Sequence, residues 1–392
     1  MMKTLNQISR IILGLVFIFS GFVKAVDPLG SMYKFNDYFD AFGLEFLSVT
    51  ALPLAILLST FEFVIGFSLI FSTKRKITAW ATLIFMSFFT VLTFFLALFN
   101  PVSDCGCFGD AIIMTNWETF WKNVVLMIFT VIVFLYRNKY EVNWKSANQW
   151  LIILIPFIFI VSISVYCIQN LPIIDFRPYS VGTYIPEKME IPEDAPRAEY
   201  ETVLLYEKGG KVVEFTLDNL PDSTWEWVET KNILINEGYV PPIHDFTIQT
   251  SNGNDITDIV LSDSKFTFLM IAYDLNKASL RNIDQINNLA AFCQKSGKCN
   301  FICLTASVES DIEKFKEETG APFEFYNTDE ITLKTIVRAN PGFILLQKGT
   351  ILGKWHHRNL PDIDKLENEF INNPEFKKKH QSAEKEVLAE NN

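Results

Sequence analysis

Basic residues are the scarcer charge in this chain: 34 Lys and Arg stand against 45 Asp and Glu over 392 residues, for a formal net charge of −11. No stretch interleaves Lys or Arg with aromatic residues, and the part beyond residue 170 is strongly acidic. Both features exclude nucleic acid as the expected partner and disfavour docking onto an anionic lipid surface. Histidine and cysteine are also few, at 4 and 6. They form no cluster with metal-ligand spacing, so no metal centre is expected. A Cys-x-x-Cys pair occurs nowhere.

Apolar residues make up 49% of the chain and are unevenly spread. Up to Asn170 there are 11 basic and 9 acidic residues; from Leu171 on there are 23 and 36. Five apolar runs in the first part are long enough to cross a bilayer, which takes roughly 20 residues. They are Ile8–Val26, Leu52–Ser72, Ile77–Phe99, Trp117–Tyr136 and Trp150–Gln169. In lipid such runs must be helices, because each backbone amide needs an internal partner. Trp80, Trp117, Trp121, Trp144 and Trp150 fall near their ends, as interfacial tryptophans do.

Lys and Arg set the orientation. Lys3 and Arg10, Lys74 to Lys76, and Arg137, Lys139 and Lys145 mark alternate loops, all expected to be cytoplasmic. The loop 100–116 carries no basic residue and is expected outside, together with everything after Gln169. Val23-Lys24-Ala25 also loosely fits a signal-peptide cleavage site, which would leave four spans without changing any orientation.

The chain then divides into a transmembrane bundle (1–170), a linker and hairpin segment (171–239), an α/β domain (240–375) and a disordered charged tail (376–392). Leu171–Pro196 is proline-rich and is expected to be an extended linker. Glu201–Glu207 and Lys211–Leu217 flank Gly209-Gly210 and read as a hairpin. Asp222–Gly238 reads as irregular or partly helical. Beyond Val240 the expected elements are strands at Asp245–Gln249, Ile256–Val260 and Phe266–Tyr273, a helix at Leu280–Lys295, a strand at Asn300–Leu304 and a helix at Glu309–Thr319. A strand at Pro322–Tyr326, a helix at Glu330–Arg338, a hairpin of Gly342–Gln347 with Ile351–His356, and a helix at Asp362–Asn372 complete the order.

This order resembles the thioredoxin-like fold. Ala339-Asn340-Pro341-Gly342 supports the resemblance, with Pro341 in the place of that family's cis-proline; the plain alternative is a proline at a strand start. Where the family carries Cys-x-x-Cys, this chain reads Tyr273-Asp274-Leu275-Asn276-Lys277-Ala278-Ser279, so the resemblance implies the fold without the family's nucleophile. Cys293 and Cys299 are either a disulfide or buried thiols, and Cys303 reads as core. His356 and His357 read as a surface or contact feature.

Asp104-Cys105-Gly106-Cys107-Phe108-Gly109-Asp110 lies in the outside loop between the third and fourth spans. A C-x-C disulfide closes a small, readily reduced ring, which suits thiol–disulfide exchange. A structural disulfide and a metal-bound pair remain open as alternatives. Glu62 sits mid-span, where a carboxylate is costly by at least ~2.5 kcal/mol. It reads as a proton acceptor, as a contact to a quinone, or as a neutral carboxyl bonded to a neighbouring helix. Lys24 either snorkels to the interface or pairs with Glu62. Cys167, near the outer end of the fifth span, is a candidate relay thiol.

The C-x-C loop, with Arg10 to Gly14 and Ser20 to Lys24, resembles the DoxX-like and methylamine-utilisation MauE-like membrane proteins. The joined architecture resembles fusion proteins of Bacteroides-type bacteria. The resemblance implies a multi-pass protein of the bacterial inner membrane, N-terminus cytoplasmic and C-terminal domain periplasmic, that aids disulfide formation or maturation of exported proteins. The expected catalytic residues of such a membrane thiol–disulfide oxidoreductase are Cys105, Cys107 and Glu62. Its expected partners are membrane lipid, extracytoplasmic clients or a redox partner, and a quinone. The alternative is a non-enzymatic scaffold that binds periplasmic or translocon-associated proteins through its thioredoxin-like domain.

Overall fold

The computed structural model describes residues 2–102, 104–139, 145–197, 199–236 and 238–373; Trp144 and the charged tail 376–392 lie outside the described residues. Helices α1 (Met2–Val26), α2 (Pro28–Ala41), α3 (Ala51–Phe71), α4 (Arg75–Phe99), α5 (Asn116–Leu135) and α6 (Ser146–Gln169) form the N-terminal half. All but α2 are long and apolar enough to span a bilayer. Helix α2 lies in a stretch expected to be a loop. Its start signal is Asp27-Pro28: the Asp27 carboxylate accepts from the Gly30 amide and Pro28 takes the first helical position.

Helices α1 and α3 approach closely because small residues face each other. A Cβ on Gly21 would lie 2.6 Å from the Ser59 carbonyl oxygen and the Phe63 nitrogen, and one on Gly66 would lie 2.7 Å from the Gly14 carbonyl oxygen. Between membrane helices such contacts replace the hydrophobic drive that lipid removes. Gly21→Val is therefore expected to lower bundle stability by ~3 kcal/mol or more. Thermal unfolding in detergent measures this, and an unchanged midpoint would mean that the two helices pack elsewhere.

The stretch 171–196 is not a free tether. Tyr179 and Ile185 are buried in the soluble domain, Tyr184 bridges to Thr350, and α7 (Ile185–Met189) forms one turn. Its apolar residues find a sheet to cover, which overrides the extended tendency of its prolines. Strands β1 (Glu199–Lys208), β2 (Lys211–Thr216) and β3 (Glu226–Asn236) make an antiparallel sheet in the order β2-β1-β3. The hairpin was expected and β3 was not. Val228, Ile233 and Ile235 supply β-branched residues there, and pairing with β1 decides the outcome.

Helix α8 (Thr257–Ser262) replaces the strand expected at Ile256–Val260. Asp255 accepts from both the amide and the hydroxyl of Thr257 and so starts a helical turn. The remainder runs β4 (Phe266–Ile271), α9 (Ile283–Ser296), β5 (Cys299–Thr305), α10 (Glu309–Thr319), β6 (Glu324–Asn327), α11 (Glu330–Ile336), β7 (Gly342–Gln347), β8 (Thr350–His356) and α12 (Ile363–Leu366). The sheet order is β6-β5-β4-β7-β8, parallel across β6, β5 and β4 and antiparallel from β4 through β7 to β8. Alternation along β4 sends Phe266, Phe268 and Met270 to one core and Leu269 and Ile271 to the other. This is the thioredoxin-like arrangement, and the Asn340–Pro341 bond is cis. The protein is thus a helical membrane bundle joined to an α/β thioredoxin-like domain.

Cys293 and Cys299 form a disulfide from the end of α9 to the start of β5. Cys303 is fully buried. His356 and His357 are buried too, not on the surface: their rings lie 4.0 Å apart and His357 Nδ1 is 3.1 Å from the Pro341 carbonyl. The chain turns inward after β8, which brings the His357 ring against the cis-proline and the His356 ring against His357.

Candidate functional site

The Cys105–Cys107 loop closes over one end of the bundle. Gly106 and Gly109 adopt left-handed backbone conformations, φ +64° and +51°, which lets the chain reverse tightly on either side of Cys107. Side chains from other elements grip this loop. Tyr38 of α2 donates to the Cys105 carbonyl at 2.9 Å. Lys34 reaches Asp104 at 2.8 Å, and the Asp104 carboxylate accepts from the Gly106 amide. The Cys107 carbonyl accepts from the Lys24 ammonium.

Lys24 and Glu62 meet. Their charged atoms lie 2.9 Å apart on α1 and α3, both buried. Lys24 does not snorkel to the interface. Its three N–H groups find three acceptors: Ser20 Oγ at 2.6 Å, Glu62 Oε2 and the Cys107 carbonyl. Ser20 Oγ stands 2.8 Å from Glu62 Oε2 and 2.9 Å from the Cys107 carbonyl and, with one proton, donates to one of them at a time. A continuous polar chain therefore joins the mid-span carboxylate to the backbone of the C-x-C motif.

The two sulfurs are 3.2 Å apart. They differ in surroundings. A hydrogen bond from Cys105 holds the Cys107 thiol below its ordinary range, with Lys122 and Lys24 adding to the effect and burial and Glu62 opposing it. Cys105 is raised, first by that same hydrogen bond and then by burial. Of the two, Cys107 is the one whose surroundings favour the thiolate, the nucleophilic form. The expected consequence is that Cys107 alkylates at lower pH than Cys105. Lys122→Gln should move the Cys107 midpoint upward, read by mass spectrometry of alkylated peptides across a pH series. An unmoved midpoint would remove Lys122 from the site.

Both thiols line a cavity of about 260 Å³ that runs into the bundle as far as Glu62. Its walls are mostly apolar, with Phe17, Phe85 and Phe89 among them, and its polar groups include Ser20, Lys24, Lys34, Glu62, Lys122 and Asn123. A second, polar cleft of about 540 Å³ lies between the bundle and the soluble domain, bordered by Asp27, Lys34, Asp104, Arg177 and Arg338. Gly106, Lys24, Lys34 and Ser31 border both spaces, whereas Cys105 and Cys107 border only the inner one.

Cys167 is buried in α6 and borders neither space, so the relay-thiol expectation gains no support from its position. Pro341 lies in the soluble domain, just beyond Arg338, which contacts Asp110 of the C-x-C loop. No group of three or more His, Cys, Asp or Glu with metal-holding geometry occurs among the described residues. Ser20, Tyr38, Lys122 and Arg338 were not anticipated. Lys122 carried a readable signal: it is a charge one turn inside an apolar run, the kind of residue that marks a site.

Residues 2–136 match the family described as methylamine utilisation protein MauE, and residues 200–237, covering the three-stranded sheet, match a domain of unknown function, DUF8463. No curated protein matches the chain. Solved structures similar to the soluble domain include a candidate protein disulfide isomerase from Bacteroides thetaiotaomicron, at 14% identity over 33% of this chain and 87% of that one, with a TM-score of 0.27. A candidate thioredoxin from Neisseria meningitidis is 17% identical over 32% of this chain and 84% of that one, TM-score 0.27. A thiol:disulfide interchange protein from a Bacteroides species is 17% identical over 33% and 86%, TM-score 0.26. The fold assignment rests on the strand order and the cis-proline described above.

Proposed function

For a multi-pass membrane protein that joins a MauE-type domain to a thioredoxin-like domain, we propose that Cys105 and Cys107 are the redox pair of a membrane thiol–disulfide oxidoreductase. The pair would act at the extracytoplasmic face of a bacterial inner membrane, on exported clients. The observation that supports this most is the inner cavity, which joins both thiols to Glu62. A filled bundle would have favoured a scaffold.

The residues present fit a quinone. Aromatic side chains in the wall suit a planar ring, and the Lys122 ammonium is placed to donate to a ring oxygen. A bound quinone supplies the acceptor for two electrons and two protons. The chain's own residues divide the remaining work. The Cys107 thiolate faces the cavity. Cys105 holds the proton that must leave as the disulfide forms, and the Lys24–Glu62–Ser20 chain provides groups that can hold or pass it. Two client thiols then reduce the Cys105–Cys107 disulfide by exchange and leave as the client disulfide. The balance is client dithiol plus quinone giving client disulfide plus quinol.

The soluble domain lacks a Cys-x-x-Cys, and its segment Tyr273–Ser279 is tied to the cis-proline turn by a Ser279 amide to Asn340 carbonyl bond of 3.0 Å. This supports a docking role for that domain, and a pure scaffold if the thiols prove inert. The test is reconstitution in proteoliposomes with a short-chain quinone and a reduced dithiol peptide. Quinol formation that disappears in the Cys105→Ser/Cys107→Ser double variant is expected. Equal quinol formation in both proteins would refute the oxidoreductase reading and leave the scaffold.

A further inference from the structure

Arg338 belongs to the soluble domain, between α11 and the cis-proline, yet its guanidinium is buried against the bundle, with 5% of the residue exposed. Nε lies 2.8 Å from Asp27 Oδ2 and Nη2 lies 3.0 Å from Asp110 Oδ2. Nη1 donates to the Lys334 carbonyl of the preceding helix α11, and the group stacks 5.3 Å from the Tyr33 ring. The fork thus joins three separate pieces: the start of α2, the soluble domain and the loop that carries the thiols. A planar fork suits this bridging better than a point charge does. The space for it is specific as well, since a Cβ on Gly30 would come within 2.8 Å of Nη2.

Asp110 sits three residues past Cys107, just beyond Gly109. In this arrangement both thiols border the inner apolar cavity, while Asp104, Gly106, Gly109 and Asp110 of the same loop border the outer polar cleft. A water-borne client would meet the cleft and not the sulfurs. The two left-handed glycines flanking Cys107-Phe108 are the places where the loop can turn.

We propose that Arg338 is a positioning residue for the thiol pair: seated between Asp27 and Asp110, it holds the loop with Cys105 and Cys107 facing the inner cavity, and release of Asp110 turns the loop toward the outer cleft, where an extended client segment is met. This rests on the redox reading of the pair. The soluble domain then serves as a latch on the thiols and needs no cysteine of its own at that face.

The test measures alkylation rates of Cys107 in the reduced full-length protein in proteoliposomes. One reagent is a charged, membrane-impermeant maleimide; the other is a small uncharged reagent that partitions into lipid. Asp110→Asn loosens the latch from the loop side and leaves every residue of the soluble domain intact. It is expected to raise the impermeant rate about tenfold and to lower the lipid-partitioning rate, as a population shift between two loop states would. Arg338→Gln should do the same, and Arg338→Lys, which keeps a cation, should restore part of the difference. Cys303, fully buried in the soluble core, reports unfolding and should stay unlabelled. A rise in both rates together, or in Cys303 labelling, assigns Arg338 a merely structural role and overturns the proposal. Unchanged rates in Asp110→Asn overturn it too. If quinol formation persists in that case, the oxidoreductase reading stands without the latch; if the unaltered protein forms no quinol, it is that reading that fails.

Discussion

Cys107→Ser is expected to stop thiol–disulfide turnover, with a fall of at least ~10³-fold, because the thiolate and not the thiol is the reacting form. The two cysteines are not equivalent. The lower-pKa thiol is the better leaving group in exchange, so a client thiolate attacks Cys105 Sγ and Cys107 departs as the stabilised thiolate near Lys122 and Lys24. With Cys107 absent there is no Cys105–Cys107 disulfide for a client thiolate to open, so a client dithiol stays reduced. Cys105→Ser should be equally inactive for the same reason. The sulfur attacked is read in the oxidised, unaltered protein with a client peptide that carries a single thiol: its thiolate opens the disulfide, Cys107 leaves as the thiolate and is alkylated, and the client stays on Cys105, where mass spectrometry of the non-reduced peptide locates it. Equal capture on the two cysteines would contradict the asymmetry of their surroundings. Full activity in either variant would remove the pair from the chemistry.

The second large effect concerns Lys24. Lys24→Met leaves the Glu62 carboxylate buried without its cation and frees the Cys107 carbonyl from its strongest donor. Breaking a buried pair from one side costs about 3–5 kcal/mol. The bundle should therefore lose most of its margin of stability, since domains hold only about 5–15 kcal/mol in total. The double variant Lys24→Met/Glu62→Leu removes both charges and should recover most of the stability, because apolar replacements of an ion pair are often neutral or better. It should not recover quinol formation, since the polar chain to the Cys107 backbone stays broken. Thermal unfolding in detergent and quinol formation are measured side by side. If the double variant regains activity along with stability, Lys24 and Glu62 are structural and the proton-handling role assigned to them is wrong.

Much of the fold was legible because the membrane and the sheet impose simple periods. Runs of about 20 apolar residues have few alternatives in lipid, and the five spans end within one residue of their expected bounds, although the first two begin earlier, at Met2 and Glu45. The β-α order beyond Phe266 was readable from alternation and helical spacing. Misreadings fell where tertiary contact outvotes local signal. Strand β3 exists because β1 offers a partner, α8 because Asp255 accepts from the amide and hydroxyl of Thr257 at its start, and the stretch 171–196 is ordered because Tyr179 and Ile185 find a core. His356 and His357 were misjudged for the same reason: no sequence pattern says that the chain folds back over the cis-proline.

The site was half legible. Cys105-x-Cys107 and Glu62 stood out as residue types in improbable places, and the Lys24–Glu62 pair was open as a possibility of helix packing. The contacts that complete it join residues far apart in the chain. Lys24 meets Glu62 across 38 positions, and Arg338 meets Asp110 across 228. Such pairs have no spacing signature. Only the approach of α1 to α3 through glycine, and the docking of the soluble domain on α2, brings them together.

The oxidoreductase reading stands or falls most directly on the thiol state of Cys105 and Cys107 in native membranes, read by differential alkylation and mass spectrometry with quinone and oxygen supplied or withdrawn. A mixture of reduced and oxidised pairs that shifts toward the dithiol when the acceptor is withdrawn is the expected result. A single state, insensitive to acceptor and reductant alike, would make the motif structural and contradict thiol–disulfide exchange as the function of this protein.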